Sequence, residues 1–126
     1  MSQGLTFDTG ALIALEARRL RMRKVVATAA EEALVITVPM PVIGEWWRGP
    51  RTKRADQILQ SVDIESLTLE LTKQTGEAMA QTRGDDFVDA LVMASASRRG
   101  DRVYTSDYDD LSAYLELFPE VRLFKV

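Results

Sequence analysis

The chain has 126 residues and a formal net charge of −3, and it contains neither histidine nor cysteine. These absences exclude disulfides, thiol nucleophiles, imidazole bases and metal sites with nitrogen or sulfur ligands from those side chains, so any metal site must use oxygen ligands. The length predicts a single domain over residues 1–126. No apolar run approaches the roughly 20 residues that cross a bilayer, and the first residues lack a signal-peptide pattern. We therefore expect a cytoplasmic protein.

Apolar runs alternate with amphipathic stretches along the chain. Strands are predicted at residues 5–7, 34–38, 64–69, 102–105 and 121–126, with Pro39 ending the second strand. Helices are predicted at residues 11–15, 25–33, 42–48, 52–62, 72–83, 87–99 and 109–117, and a turn within the basic segment 18–24. This alternation predicts an α/β fold with a central, mainly parallel sheet of four to five strands and helices on both faces.

Acidic residues stand where predicted strands give way to helices. Asp8 follows the first strand, Glu45 lies in the helix after the second, and Asp107 follows the fourth. Asp86 and Asp89 lie three residues apart at the start of the helix over 87–99, so they share a face. The carboxyl ends of parallel strands meet at one edge of a sheet, so these carboxylates are expected to converge. Close carboxylates repel each other, and a divalent cation such as Mg²⁺ or Mn²⁺ would relieve the repulsion.

Simpler explanations compete for some of these acids. Asp107 and Asp86 are well placed to cap helices, and for Asp86 the cap is the preferred interpretation. Asp8, Glu45 and Asp89 have apolar neighbours in the sequence. A buried, unpaired carboxylate is costly, so each of these three needs either an arginine or a metal. The hydroxyl of the threonine that follows Asp8 either touches the water shell of the metal or caps the first helix.

Four stretches together resemble the motifs of the PIN-domain family, and specifically those of the VapC-type ribonuclease toxins of bacterial type II toxin–antitoxin pairs. The stretch TFDTGALIAL is similar to the first motif, whose first metal ligand is here Asp8. PMPVIGEWWRG is similar to the second motif with Glu45, and DDFVDALVMASA to the third with Asp89 and the additional acid Asp86. VYTSDYDDL is similar to the fourth, with Asp107 as the last ligand. The order and spacing of the motifs match over nearly the whole chain.

The resemblance implies a three-layer α/β/α PIN-like domain that acts as an Mg²⁺- or Mn²⁺-dependent endoribonuclease on tRNA, rRNA or mRNA. It implies a homodimer that is inhibited by a cognate VapB-like antitoxin. The implied catalytic residues are Asp8, Glu45, Asp89 and Asp107, and the implied metal ligands are these four with Asp86. The implied auxiliary polar residues are Thr9, Thr105 and Asp110. Asp109 and Asp110 follow Asp107 so closely that the last ligand stays open among the three.

Basic residues after the Glu45 helix are the first candidates for contacts with the RNA backbone, because phosphate binding needs cations beside an acidic site. They are Arg48, Arg51, Lys53 and Arg54. A second group follows the first helix and comprises Arg18, Arg19, Arg21 and Arg23. The alternative for any one of them is a side chain at a helix end that is solvated or interacts with the helix dipole.

Aromatic and apolar side chains near the motifs have two interpretations. Trp46 and Trp47 either stack on bases or belong to the core or a partner interface, and the latter is preferred for one of them. Phe87, Leu91 and Met93 serve either a dimer face or, preferably, the core. At the level of function, a non-catalytic PIN-like protein-binding module is the alternative to the ribonuclease. A flap-type DNA nuclease is a third hypothesis, although such an enzyme is expected to need additional elements that hold DNA.

Overall fold

The computed structural model describes residues 4–49 and 52–126. Its strands are β1 (Leu5–Phe7), β2 (Ile36–Pro39), β3 (Asp63–Glu65), β4 (Arg102–Thr105) and β5 (Arg122–Lys125). Its helices are α1 (Thr9–Glu16), α2 (Leu20–Glu31), α3 (Met40–Trp46), α4 (Lys53–Ser61), α5 (Leu69–Thr82), α6 (Phe87–Arg99) and α7 (Tyr108–Ser112). The strands form one sheet in the order β3-β2-β1-β4-β5, and every neighbouring pair is parallel. The predicted α/β fold with a parallel central sheet is confirmed.

Helices cover both faces of this sheet. Leu5 and Tyr104 point toward α2, with which they line a common cavity. Thr6 points to the opposite face, where Arg99 at the end of α6 donates a hydrogen bond to its hydroxyl. Successive side chains of a strand alternate between faces, so α2 and α6 lie on opposite sides of β1. In the described part of the chain, no helix is both long enough and apolar enough to cross a membrane.

The hydrophobic core is concentrated around β1, β4 and α6. Phe7, Val38 and Val103 at the centre of the sheet are fully buried. Every residue of α6 from 90 to 96 is buried, since α6 lies between the sheet and α5. The preferred core assignment of Leu91 and Met93 is therefore confirmed, whereas Phe87 is only half-buried.

Most predicted boundaries hold, and those of β1, β4 and α6 agree to the residue. The strand predicted at 64–69 is wrong beyond residue 65, because a helix begins at Leu69. The Thr68 hydroxyl accepts a hydrogen bond of 3.1 Å from the amide of Leu71 and so caps that helix. Leu69 itself is 76% exposed and contributes to no buried strand face. The β-prone composition of this segment was misleading because a helix cap overrides it.

Other boundaries shift by up to five residues. The helix predicted at 25–33 begins at Leu20, and the preceding turn is made by Arg18 in the left-handed conformation with φ of 60°. The strand β2 includes Pro39, and α3 ends at Trp46. The helix predicted at 109–117 is confined to α7, because the amide of Tyr114 bonds to the carbonyl three residues back and the chain continues in turns.

A partly buried polar network ties β1, β3 and α6 together on the face opposite α2. Arg99 donates to Glu65 at 2.6 Å and to Asp101 at 2.8 Å, and it also donates to the Ser95 hydroxyl at 2.9 Å. Thr6 donates to Asp101 at 2.8 Å, and Asp101 is only 3% exposed. The Asp101 carboxylate is therefore paired with a cation and hydrogen-bonded, as burial of a charge requires.

Candidate active site

Asp8 stands at the end of β1 and caps α1. Its Oδ1 atom accepts a hydrogen bond of 2.9 Å from the amide of Ala11. The residue is 4% exposed, and Oδ2 is buried with no hydrogen-bond partner among the described residues. Burial raises the pKa of Asp8, and the charge of Asp107 adds to the rise. The Thr105 hydroxyl and the Ser106 amide approach the carboxylate and oppose the rise in pKa, although neither makes a well-formed hydrogen bond to Oδ2.

Glu45 is held in place by the residue that follows Asp8. The Thr9 hydroxyl donates a hydrogen bond of 2.6 Å to Oε1 of Glu45, which joins the start of α1 to α3. Because Asp8 is the cap of α1, the capping role considered for Thr9 is wrong. The contact instead fixes the orientation of a carboxylate that the sequence could only place on a helix.

Asp86 and Asp89 lie at the start of α6. Oδ1 of Asp86 accepts a hydrogen bond of 3.0 Å from the amide of Asp89, so the cap predicted for Asp86 is confirmed. The pKa of Asp89 is raised to about 7 by burial and by the charges of Asp86, Asp107, Asp110 and Asp8, in that order. Near neutral pH the Asp89 carboxyl is therefore divided between its protonated and ionised forms.

Asp107 precedes α7 without capping it. Its side chain makes no capping hydrogen bond to any described residue, and its amide donates to the Thr105 hydroxyl at 2.7 Å. The pKa of Asp107 is raised by partial burial and by the charges of Asp110, Asp86 and Glu45. The hydrogen bond that a helix cap requires is therefore missing at Asp107. The exposed carboxylate of Asp107 instead lies near three other acids, Asp110, Asp86 and Glu45.

These contacts and charges define the acidic cluster, which comprises Asp8, Glu45, Asp86, Asp89, Asp107 and Asp110. The predicted convergence of carboxylates from distant motifs is therefore present at the carboxyl edge of the sheet. Asp109 contributes to none of these pKa shifts, although it lines one groove with Asp107 and Asp110 and another with Asp86, Asp89 and Asp110. Asp107 and Asp110 are the two of the three candidates whose charges act within the cluster, and the last ligand stays a prediction.

The cluster fits a divalent cation in its chemistry. The donors are all carboxylate oxygens, Oδ2 of Asp8 is buried without a partner among the described residues, and neighbouring carboxylates help to raise the pKa of Asp8, Asp89 and Asp107. Within residues 4–49 and 52–126, however, no three acidic side chains form a group that holds an ion as they stand. Binding would therefore require side-chain rotation, for which the exposed Asp107 and Asp110 have room.

Gly10 and Ser106 bring the first and fourth motifs together. A Cβ atom on Gly10 would overlap both Oγ and Cβ of Ser106, so only glycine allows this approach. Sequence reasoning did not identify either residue. The available signal was a glycine in the first turn of a helix, where its propensity is poor unless close packing requires it.

The basic residues after α3 divide into different environments. Arg48 and Lys53 are exposed, and Arg51 lies outside the described residues. Arg54 is half-buried and donates two hydrogen bonds of 3.2 Å to the Leu15 carbonyl in the last turn of α1. These bonds favour an interaction with the end of that helix over a contact with RNA. The contacts with RNA remain a prediction for all four.

Trp46 belongs to the core, as preferred for one of the two tryptophans. It is 8% exposed, and its Nε1 atom donates to Glu16 at 3.0 Å. Trp47 is half-buried and packs edge-to-face on Trp46 with ring centroids 5.5 Å apart.

A lysine that the sequence did not single out lies at the rim of the acidic cluster. Lys125 and Asp107 line the same groove, and the Lys125 ammonium stands 5.2 Å from the centre of the Tyr108 ring. Tyr108 therefore holds the Lys125 side chain beside the cluster, since a cation is attracted to the face of an aromatic ring.

The fold and the acidic edge define a class of α/β domain in which carboxylates from four motifs meet beside a parallel sheet. The PIN domain family model matches residues 5–114, and the chain belongs to that family. No curated protein matches the sequence.

Three solved structures with a similar fold are chains from complexes. A chain of VapBC2 from Rickettsia felis, bound to a DNA fragment from its promoter, superposes with a TM-score of 0.76 at 12% identity, covering 97% of this chain and 98% of that one. A toxin–antitoxin complex from Klebsiella pneumoniae gives a TM-score of 0.68 at 16% identity, with coverages of 98% and 100%. FitAB bound to a DNA fragment gives 0.62 at 18% identity, with coverages of 96% and 94%.

Proposed function

We propose that this chain is the VapC-type toxin of a type II toxin–antitoxin system and a metal-dependent endoribonuclease that hydrolyses RNA phosphodiester bonds. PIN domains are generally nucleases and typically use divalent metals. The single observation that carries the proposal is the acidic cluster, in which four other carboxylates help raise the pKa of Asp89 to about 7. A fold that only needed helix caps would gain nothing from such repulsion.

The ligands of the proposed Mg²⁺ or Mn²⁺ are Asp8, Glu45, Asp89 and Asp107, with Asp86 as a further ligand. Asp8 offers Oδ2, because Oδ1 is occupied by the amide of Ala11. A bound divalent cation would offset the repulsion between the carboxylates, help to activate the attacking water and stabilise the charge that develops on the phosphate.

Neighbouring polar groups position these carboxylates. Thr9 holds Glu45 through its hydroxyl, and Thr105 accepts the amide hydrogen of Asp107 and so fixes the backbone at the fourth motif. Asp86 keeps the start of α6 in place as its cap while adding its charge beside Asp89. Asp110 adds a further charge beside Asp107, which is why it is assigned an auxiliary role.

The RNA backbone would contact cations that flank the acidic cluster, since each phosphate contact contributes electrostatic affinity. Arg48 and Lys53 are exposed after α3 and remain free to serve this purpose, and Arg51 is assigned with them. Arg54 already donates two hydrogen bonds to the Leu15 carbonyl, so only its remaining N–H groups would contact the RNA.

The proposed assembly is a homodimer bound to a cognate VapB-like antitoxin in the cytoplasm, with residues 1–126 as one PIN domain. The similarity to chains from toxin–antitoxin complexes supports the antitoxin.

The test is cleavage of an RNA and of a DNA oligonucleotide of the same sequence, with Mg²⁺, with Mn²⁺ and with a chelator. The proposal expects metal-dependent cleavage of RNA alone. Asp8→Asn should lower the rate by at least about a hundredfold, because removal of one key electrostatic group commonly costs that much. Asp109→Asn is the matched control, since Asp109 lies beside the cluster without contributing to its pKa shifts.

The other hypotheses predict different results in the same assay. Cleavage of DNA in place of RNA would favour the flap-type nuclease. No cleavage of either oligonucleotide, nor of tRNA, rRNA or mRNA added under the same conditions, together with no effect of metal on stability, would favour the binding module. Full RNA cleavage by Asp8→Asn would refute the assigned site.

A further inference from the structure

The groove beside the fourth motif contains a cation as well as acids. Lys125 lines this groove together with Asp107, Asp109 and Asp110. In the parallel pair of β4 and β5, Lys125 is the partner of Thr105, the last residue of β4. The side chain of Lys125 therefore leaves the sheet at its carboxyl edge, where the acidic cluster lies.

The backbone of Lys125 is bonded to the elements on both sides of it. Its carbonyl accepts a hydrogen bond of 2.6 Å from Nε of Arg21, which lies on α2. The amide of the next residue, Val126, donates a hydrogen bond of 3.1 Å to the carbonyl of Thr105. The fold thus fixes the point from which the Lys125 side chain extends along the groove.

The ammonium of Lys125 is held beside the carboxylates without being paired to one of them. The side chain is exposed, and Nζ stands 5.2 Å from the centre of the half-buried Tyr108 ring. Within residues 4–49 and 52–126 the ammonium forms no ion pair, although Asp107 lines the same groove. The Asp107 carboxylate is therefore left for the proposed metal. The three N–H groups of the ammonium are left for an anion from outside the chain.

An RNA strand that approaches the acidic cluster needs such a cation. The charge of the six carboxylates exceeds the two positive charges of one bound Mg²⁺ or Mn²⁺, so the phosphates on either side of the metal would be repelled. The cations already assigned to RNA follow α3 and β2, whereas β5 lies on the opposite side of β1. Among the described residues that line the groove beside Asp107, Lys125 is the one cation.

We propose that Lys125 binds the RNA phosphate next to the scissile one, on the Asp107 side of the acidic cluster. Its ammonium donates to the non-bridging oxygens of that phosphate, and the Tyr108 ring keeps the ammonium in place. Because the ammonium stands at the rim of the cluster, this contact is made equally in the bound substrate and in the transition state. It therefore strengthens binding without accelerating the chemical step. This inference rests on the proposed ribonuclease activity and adds a substrate-binding residue to it.

Cleavage of a single-stranded RNA oligonucleotide with Mg²⁺ by the wild type and by Lys125→Met tests the proposal. At about 50 mM KCl, KM should rise by about five- to tenfold in the variant while kcat stays within about twofold of the wild type. The slope of log KM against log KCl concentration should fall by about 0.7, which is the contribution of one phosphate contact on a single strand. Lys125→Arg keeps the charge and should retain most of the wild-type affinity.

Arg122→Met is the matched control. Arg122 is exposed on the same strand, and its guanidinium carbon stands 5.6 Å from the centre of the Phe124 ring. It is the partner of Arg102 at the other end of β5, and it does not line the groove beside Asp107. This variant removes the same charge and a similar ring contact, so its KM and its salt dependence should match those of the wild type.

Failure of this inference is distinguishable from failure of the proposed function. If the wild type cleaves RNA, then wild-type KM and salt dependence in Lys125→Met would overturn the role of Lys125 and leave the ribonuclease standing. An equal rise of KM in Arg122→Met, or a loss confined to kcat in Lys125→Met, would overturn it as well.

If the wild type cleaves no RNA, the proposed function fails, and fluorescence anisotropy of the same labelled and intact RNA decides the contact. A dissociation constant that rises in Lys125→Met but not in Arg122→Met would support the assignment. An equal dissociation constant in Lys125→Met and the wild type, or no binding by the wild type, would overturn it.

Discussion

Asp89 shows how strongly the acidic cluster acts on one residue. Burial and four neighbouring carboxylates raise its pKa from 3.8 to about 7. Its carboxyl therefore keeps its proton in the folded protein over a pH range in which an unfolded chain has already lost it. The repulsion between the carboxylates of the cluster therefore acts strongly on Asp89, which lies in the first turn of α6.

The first prediction concerns the pH dependence of stability without metal. Between about pH 4 and about pH 7 the folded protein binds more protons at Asp89 than the unfolded chain, so the free energy of unfolding falls as pH rises. Asp89→Asn removes this titration. At about pH 8 it should be more stable than the wild type by about 1–2 kcal/mol, a value discounted for solvent screening because Asp89 is half-buried.

Urea unfolding in a chelator at about pH 5 and about pH 8 measures this difference. Asp109→Asn should keep the wild-type difference between the two pH values, because Asp109 does not contribute to the pKa of Asp89. An unchanged difference in Asp89→Asn would show that Asp89 does not carry the raised pKa.

The second prediction concerns the close approach of Gly10 to Ser106. Gly10→Ala places a Cβ atom onto the Ser106 side chain and should destabilise the fold by about 1–3 kcal/mol through overpacking. The double variant Gly10→Ala with Ser106→Gly should recover most of this loss, because it removes the overlapping atoms. Denaturant unfolding of the two single variants and the double variant gives the coupling energy, and strict additivity would contradict the account.

At the scale of elements, the network around Arg99 joins α6 to β1 and β3. Arg98, Arg99 and Arg102 lie close together in the sequence, and nothing in the local pattern distinguishes the three. In the structure Arg98 is exposed, Arg99 is bonded to Glu65 and Asp101, and Arg102 lines a groove beside α2. The environment of each arginine depends on partners that are distant in the sequence. The local pattern of a single sequence does not show which partners these are.

The third prediction follows from that network. Arg99→Met leaves the Asp101 carboxylate buried without its cation, and it should reduce the free energy of unfolding by about 2–4 kcal/mol. Arg98→Met, next to it on the same helix, should change stability by less than about 0.5 kcal/mol. Thermal and urea unfolding of the two variants compare them directly, and equal effects would show that the network does not stabilise the fold.

Elements were predictable from sequence where local signals agree with tertiary packing. The helix α6 begins after the Asp86 cap and ends at Gly100 in the left-handed conformation with φ of 70°, so both ends were predicted to the residue. The third strand was predicted too long because Leu67 and Leu69 read as strand residues, whereas their exposure shows that no sheet covers them.

At the scale of the whole molecule, the order of motifs in the chain was enough to predict that the acids meet. Asp8 and Asp107 follow strands and Asp89 lies in the first turn of α6, and a parallel sheet brings such positions to one edge. Glu45 instead stands near the end of α3, the helix that follows β2. The sequence did not predict the contacts that orient them, such as the bond from Thr9 to Glu45. Those contacts depend on side-chain geometry between elements that are distant in the chain.

The most direct test of the central claim is thermal unfolding of the wild type, Asp8→Asn and Asp109→Asn as Mn²⁺ is added, because a cation that binds only the folded acidic cluster must raise the melting temperature. At about a hundred times the dissociation constant, we expect an increase of about 10 °C in the wild type and in Asp109→Asn, which corresponds to about 2.7 kcal/mol. Asp8→Asn should show little or no increase, because it loses the anionic Oδ2 that Asp8 offers. An unchanged melting temperature in the wild type, or an equal increase in Asp8→Asn, would contradict a metal site built on Asp8.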